Sequence, residues 1–122
     1  MKNPICPYCD TESELVTGRE IYPHRTDLYR LSFYRCAKCG AYEGCHPGTT
    51  TPLGRLANAE LRKARMEAHA AFDPLWKSGK MNRRQAYAWL AGRLGIDFED
   101  CHMGMFDVAM CKSVTHLCQS RR

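Results

Sequence analysis

Four of the eight cysteines fall into two C-x-x-C pairs, Cys6-Pro7-Tyr8-Cys9 and Cys36-Ala37-Lys38-Cys39. A C-x-x-C turn lets two thiolates converge on one cation, and a second such turn completes the tetrahedron that structural zinc prefers. The neighbouring residues suit that geometry. Gly40 follows Cys39, where a positive φ lets the backbone curl beneath the sulfur, and Pro7 pre-sets a turn. Lys38 offsets part of the thiolate charge. One structural Zn2+ held by Cys6, Cys9, Cys36 and Cys39 is therefore expected. An all-cysteine set leaves no open coordination position, which argues against catalysis at the metal. A redox role for either pair would need a βαβ pattern around it, and the sequence shows none.

The other four cysteines, Cys45, Cys101, Cys111 and Cys118, are scattered singly. Cys45-His46 and Cys101-His102 each place a thiol beside an imidazole near a glycine-containing turn. If they met, they could form a second metal site, or supply the nucleophile and base of a Cys/His-dependent enzyme. No Asp or Asn stands out as the group that would orient either histidine. Burial as a small hydrophobe is the commoner fate of a free cysteine, so no catalytic residue is assigned. Cys111 and Cys118 share the apolar face of a helix with Val108 and Val114, where packing accounts for them.

The elements that must position the thiols read as strands and then helices. Between the two pairs, Leu15-Val16, Arg19 to Tyr22 and Tyr29 to Arg35 carry β-branched and aromatic residues. Tyr29, Leu31 and Phe33 alternate with Arg30, Ser32 and Tyr34, the period of a strand with two unlike faces. Turns are expected at Thr17-Gly18 and from Pro23 to Asp27. The run from Gly44 to Pro52, rich in Gly, Thr and Pro, leads out of the ribbon.

Beyond it, Asn58 is a good cap for a helix reaching Phe72, with Leu61, Ala64, Arg65, Ala68 and Phe72 on one stripe. Asp73-Pro74 opens a short helix stopped by Gly79, and Asn82 caps Arg83 to Leu94, closed by Gly95. Asp107 caps a last helix. Trp76 and Trp89 are expected at the centre of the helical core. The fold class is thus α+β, an N-terminal four-cysteine zinc ribbon with a small antiparallel sheet followed by a compact bundle of about four short helices. The expected division is a zinc-ribbon module over 1–48, a linker over 49–57 and a helical module over 58–122.

Hydrophobic residues make up 44% of the 122 and charged residues 25%, near the globular average, so neither disorder nor a fibrous repeat is indicated. The apolar runs are far shorter than the roughly 20 residues a membrane span needs, and Met1 to Pro4 does not open a signal peptide. No membrane partner and a cytoplasmic location are expected. The formal charge is +5, which four thiolates and one Zn2+ would bring to +3. The surplus sits mainly in the helical half, so a grip on phosphate is sought there first.

Two groups of residues could make that grip. On the ribbon, Arg19, Arg25, Arg30 and Arg35 interleave with Tyr22, Tyr29 and Tyr34, as on a surface that holds phosphates and stacks on bases. Glu14, Glu20 and Asp27 balance them, as on an ordinary solvated strand. In the helical half, Arg62, Lys63, Arg65, Lys77, Lys80, Arg83 and Arg84 could approach a nucleic-acid backbone, or form a solvated helix face. No helix-turn-helix spacing is present to read bases.

Several segments resemble the small zinc-finger-containing proteins of unknown function carried mostly by phages and prophages. Pro4 to Cys9, Tyr34 to Tyr42 and Gly44 to Thr49 resemble the zinc-finger part of that family. Phe72 to Trp76, Ala86 to Ala91 and Cys101 to Asp107 resemble its helical part. The resemblance implies zinc at the two C-x-x-C pairs and a phage-like origin, and it brings no established activity. An adaptor that associates with nucleic acid is the expected function, located in the host-cell cytoplasm if phage-encoded. Binding of a host protein, for takeover or against defence, is the alternative. Neither the oligomeric state nor a DNA rather than an RNA partner is legible in the sequence.

Overall fold

The computed structural model describes residues 2–120. The chain forms two compact units, dividing between Ala59 and Glu60. Among the described residues no helix is long and apolar enough to cross a membrane.

The first unit is built on a three-stranded antiparallel sheet, β1 (Glu14–Thr17), β2 (Ser32–Arg35) and β3 (Tyr42–Gly44), in the order β1-β2-β3. Leu15 stands opposite Tyr34, and Tyr34 opposite Glu43. The central strand is buried on both faces. Phe33 packs edge-on against Tyr22 and Tyr42, whose hydroxyls meet at 2.6 Å. Tyr34 joins the cluster of Cys6, Cys36, Ala41, Cys45 and Leu56. The alternation expected to leave Tyr34 with the polar face of β2 therefore fails, because the knuckle residues Cys6, Cys36 and Ala41, with Cys45 and Leu56, pack around it.

Two expected strand segments are also corrected. Gly18–Ile21 is a helical turn, α1, and Thr26–Leu28 is a 3-10 turn, so β2 begins at Ser32 rather than Tyr29. The cause is a close approach. The Gly18 N–H donates to the Leu31 carbonyl at 2.8 Å, and a Cβ on Gly18 would lie 1.7 Å from the Leu28 carbonyl oxygen. Only a residue without a side chain lets the loop from Pro23 to Leu31 fold back over the end of β1.

Residues 49–57, expected as a linker, lie within this first unit. Cys45 bridges to Pro52, and Tyr42 and Ala57 exchange both backbone hydrogen bonds, at 3.1 and 2.9 Å. Leu56 and Ala57 are fully buried. The segment covers the outer edge of β3, satisfying donors and acceptors that would otherwise face water.

The second unit consists of α2 (Ala59–Phe72), α3 (Pro74–Lys77), α4 (Arg83–Leu94) and α5 (Val108–Ser120). Its buried residues include Leu61, Ala64, Ala68 and Phe72 from α2, Ala86 and Leu90 from α4, and Cys111, Val114 and Cys118 from α5. The ends are set by local chemistry. Asn82 accepts from the Gln85 N–H at 2.8 Å while the Gln85 side chain returns to the Asn82 N–H, a complete capping box. Gly95 closes α4 at φ 74°, and the Asp107 carboxylate accepts from the Met110 N–H at 2.8 Å. Asp73 does not cap α3. Its backbone is helical, and its carboxylate instead faces His69 at 3.3 Å and Lys77 at 3.9 Å.

Trp76 and Trp89 are only partly buried, contrary to the expectation of a tryptophan-centred core. Phe72, Leu61 and Leu90 fill the interior, and the two tryptophans stand half-buried at its edge, with the Trp76 indole N–H shielded from solvent.

The Gly18 contact yields a direct test. Gly18→Ala should displace the Leu28 carbonyl and lower the stability of the first unit by about 1–3 kcal/mol, the usual cost of overpacking. Urea unfolding followed by tyrosine fluorescence measures it; an unchanged midpoint would show that the loop yields freely.

Candidate metal centre

Each C-x-x-C pair sits in a tight knuckle with the same backbone pattern. In the first, the Cys6 N–H donates to the Thr11 carbonyl at 2.7 Å and the Asp10 N–H to the Cys6 carbonyl at 2.8 Å. In the second, the Cys36 N–H donates to the Ala41 carbonyl at 2.8 Å and the Gly40 N–H to the Cys36 carbonyl at 2.9 Å. Both turns end on a left-handed residue, Gly40 at φ 81° and Asp10 at φ 57°. Asp10 is the counterpart that sequence reasoning missed; aspartate tolerates this region better than most side chains.

The knuckles bring the four sulfurs within 4.8 Å of one another. Cys6 Sγ and Cys39 Sγ stand 3.6 Å apart. A tetrahedron with Zn–S bonds of about 2.3 Å has edges of about 3.8 Å, so the cage has the size of zinc. Cys6 and Cys36 are buried, Cys9 is half-buried and Cys39 is exposed. The Thr11 hydroxyl reaches across from the first knuckle to Cys36 Sγ at 3.7 Å. These residues fit one structural zinc ion, which when bound cross-links the two knuckles.

Backbone N–H groups are aimed at the sulfurs. Those of Cys39 and Lys38, helped by the Thr11 hydroxyl, bring the Cys36 thiol down to about 6 against the opposing effect of burial. Cys9 is pushed up to about 12, first by its contact with Cys39 and then by burial, and Cys6 is raised mainly by burial. The knuckle backbone thus favours thiolate at Cys36, while burial and the neighbouring thiols oppose ionisation of Cys6 and Cys9. Since the folded-state value of Cys36 is depressed, the stability its thiolate contributes is complete above its ordinary range near 9 and is lost as pH falls through about 6.

Among the described residues, neither unit by itself gathers a comparable centre at the remaining cysteines and their histidines. Cys45 is buried in the core of the first unit and Cys101 in the second, and burial raises both thiols. His46 and His102 are exposed. Among the described residues neither pair gathers a third donor within its own unit.

The basic residues divide sharply. On the ribbon, Arg25 is closed in a two-pronged pair with Asp27, at 2.9 and 2.7 Å. Tyr34 is withdrawn into the core with its hydroxyl on the Thr50 carbonyl, so it is not a stacking platform. Arg19 lies over the Tyr29 ring, Arg30 is exposed and Arg35 is half-buried in β2. The helical unit is different. The Arg83 guanidinium lies over both Trp76 and Tyr87, at 5.4 and 5.6 Å, and Arg84 lies 5.0 Å from the centre of the Phe98 ring. Lys77 also faces Trp76. Lys63 and Lys80 are exposed and Arg62 is half-buried. The aromatic partners of this basic group were not legible as such, because Trp76 has the spacing of a core residue.

Two closed knuckles, a small sheet and an all-cysteine cage define a zinc-finger protein. The chain belongs to a family described as a zinc-finger-containing domain, whose model matches residues 2–121. No curated protein and no solved structure matches it.

Two measurements check the centre. Elemental analysis should give one zinc per chain, retained in Cys45→Ala and lost in Cys36→Ser together with the ribbon fold. Zinc added to the metal-free protein near neutral pH should release at least two protons, those held by Cys6 and Cys9. Calorimetry in buffers of different ionisation enthalpy counts them, and release of one or none would contradict the charge distribution.

Proposed function

We propose that this protein is a small, phage-derived adaptor that associates with nucleic acid in the host-cell cytoplasm, with zinc in a purely structural role. The observation that carries the proposal is the array of cations laid over aromatic rings in the helical unit, centred on Arg83 between Trp76 and Tyr87 and continued by Arg84 over Phe98. Guanidinium groups placed over rings offer charge for phosphates beside aromatic surfaces for bases. Residues 57 to 122 carry eleven Lys/Arg against seven Asp/Glu, which gives that unit an attractive field for polyanions. The phage origin is supported by the sequence resemblance.

A host-protein partner is the second reading. Ile5, Leu15 and Leu53 are each about half exposed on the first unit, more apolar surface than a small ribbon needs to show water.

Fluorescence anisotropy with labelled single-stranded DNA and RNA separates the two. Affinity should fall steeply between about 50 and about 200 mM salt, and Arg83→Ala with Arg84→Ala should weaken it roughly tenfold or more. Indole fluorescence should change on binding because Trp76 lies under Arg83. No binding to either strand at low salt would refute this proposal and leave the host-protein reading, whose affinity should be nearly indifferent to salt.

A further inference from the structure

A cleft in the first unit lies between the start of β2 and the loop after β3, lined by Arg30, Ser32 and Gly48-Thr49-Thr50-Thr51. No carboxylate and no large apolar side chain lines it. The loop is held from several directions. The His46 N–H donates to the Thr51 carbonyl at 2.9 Å, and the Thr49 N–H and hydroxyl both donate to the His46 carbonyl, at 3.0 and 2.9 Å. The Thr49 hydroxyl in turn accepts from the Thr51 N–H at 3.1 Å. From the core side, the buried Tyr34 hydroxyl donates to the Thr50 carbonyl at 2.8 Å. Behind the cleft the Ser32 carbonyl accepts from the Cys45 N–H at 3.0 Å, fixing the opposite wall.

These bonds engage the Thr49 hydroxyl and the carbonyls of His46, Thr50 and Thr51, and none of them uses the side-chain donors of Arg30, Ser32, Thr50 or Thr51. Among the described residues the Arg30 guanidinium and the hydroxyls of Ser32, Thr50 and Thr51 have no protein partner. A guanidinium with several hydroxyl donors and no acid nearby suits an oxyanion with several acceptor oxygens. The turn at Gly48, with φ 75° and open space where a Cβ would stand, lets such a group approach the backbone.

We infer that this cleft seats a phosphate group, gripped by Arg30 and by the Ser32, Thr50 and Thr51 hydroxyls. The site deepens the nucleic-acid proposal and rests on it for the source of the phosphate, the backbone of a bound strand. It lies in the zinc-stapled unit, and zinc loss would dismantle its walls, since Cys36 directly follows β2 and Tyr34 packs among the knuckle residues.

The test is a titration of the zinc-loaded, 15N-labelled protein with inorganic phosphate at constant ionic strength, chloride being the balancing anion, followed by backbone amide shifts. Saturable shifts confined to Ser32 and Gly48–Thr51, absent with chloride alone, are expected. Arg30→Ala should weaken phosphate at least tenfold and Arg30→Lys much less, with one zinc per chain in both as the check on folding. Non-saturating shifts, shifts that chloride reproduces, or an unchanged Arg30→Ala titration would overturn the site. A short oligonucleotide should displace the phosphate shifts. If it binds without displacing them, the strand is not the source and this part fails; if phosphate binds and no oligonucleotide does, the nucleic-acid proposal fails while the phosphate seat stands.

Discussion

Four thiolates converging on one point are the constraint on which the zinc-binding unit depends. A sheet of three strands, each three or four residues long, cannot bury enough apolar area to hold itself together. The two knuckles supply what the sheet lacks. They are separated by 26 residues of sequence and meet at Cys6 and Cys39, so a metal joining them closes a long loop through a single centre. The same cluster is where the apolar core of the unit lies, since Tyr34, Ala41, Cys45 and Leu56 pack directly with Cys6 and Cys36. Metal binding and folding are therefore one equilibrium in this part of the chain.

The chemistry of the cage is structural in character. The sulfurs accept backbone N–H groups, which stabilise thiolate and lower its nucleophilicity and its basicity together. The set is complete at four and leaves no place for a substrate or a reactive water. In the helical unit, cation–ring contacts restrain long side chains at the surface, with Arg83 over Trp76 and Arg84 over Phe98.

The two units reach order by different routes. The ribbon relies on ligands, on left-handed turns at Asp10 and Gly40, and on the missing side chain of Gly18. The helical unit relies on caps and on an interior of small and aliphatic residues, with Ala64, Ala68, Ala86 and Ala91 allowing helices to pack closely around Phe72 and Leu90. Its cysteines, Cys101, Cys111 and Cys118, are buried and serve as small apolar side chains, and burial raises the Cys101 and Cys111 thiols away from reactivity.

The metal and its four ligands are legible in the residues alone, because C-x-x-C spacing is a local geometric statement that needs no knowledge of the rest of the chain. The α+β order and the helices are legible too, down to the Asn82 cap, the Asp107 cap and the Gly95 stop, since these also depend on neighbours a few residues apart. The resemblance to zinc-finger proteins agrees with the family to which the chain belongs. What depends on distant partners had to wait for the assembled fold. Residues 49–57 read as a linker from their Thr, Gly and Pro content, yet they cover the edge of β3 because Leu56 finds its apolar neighbours in the knuckle core. Tyr34 shares its period with Arg30 and Ser32 and is nonetheless buried, because the knuckle residues close over that side of β2. Trp76 has core spacing and lies at the rim, where Arg83 covers it. Periodicity reports which side of an element a residue occupies; which side meets solvent is settled only when the other elements are in place.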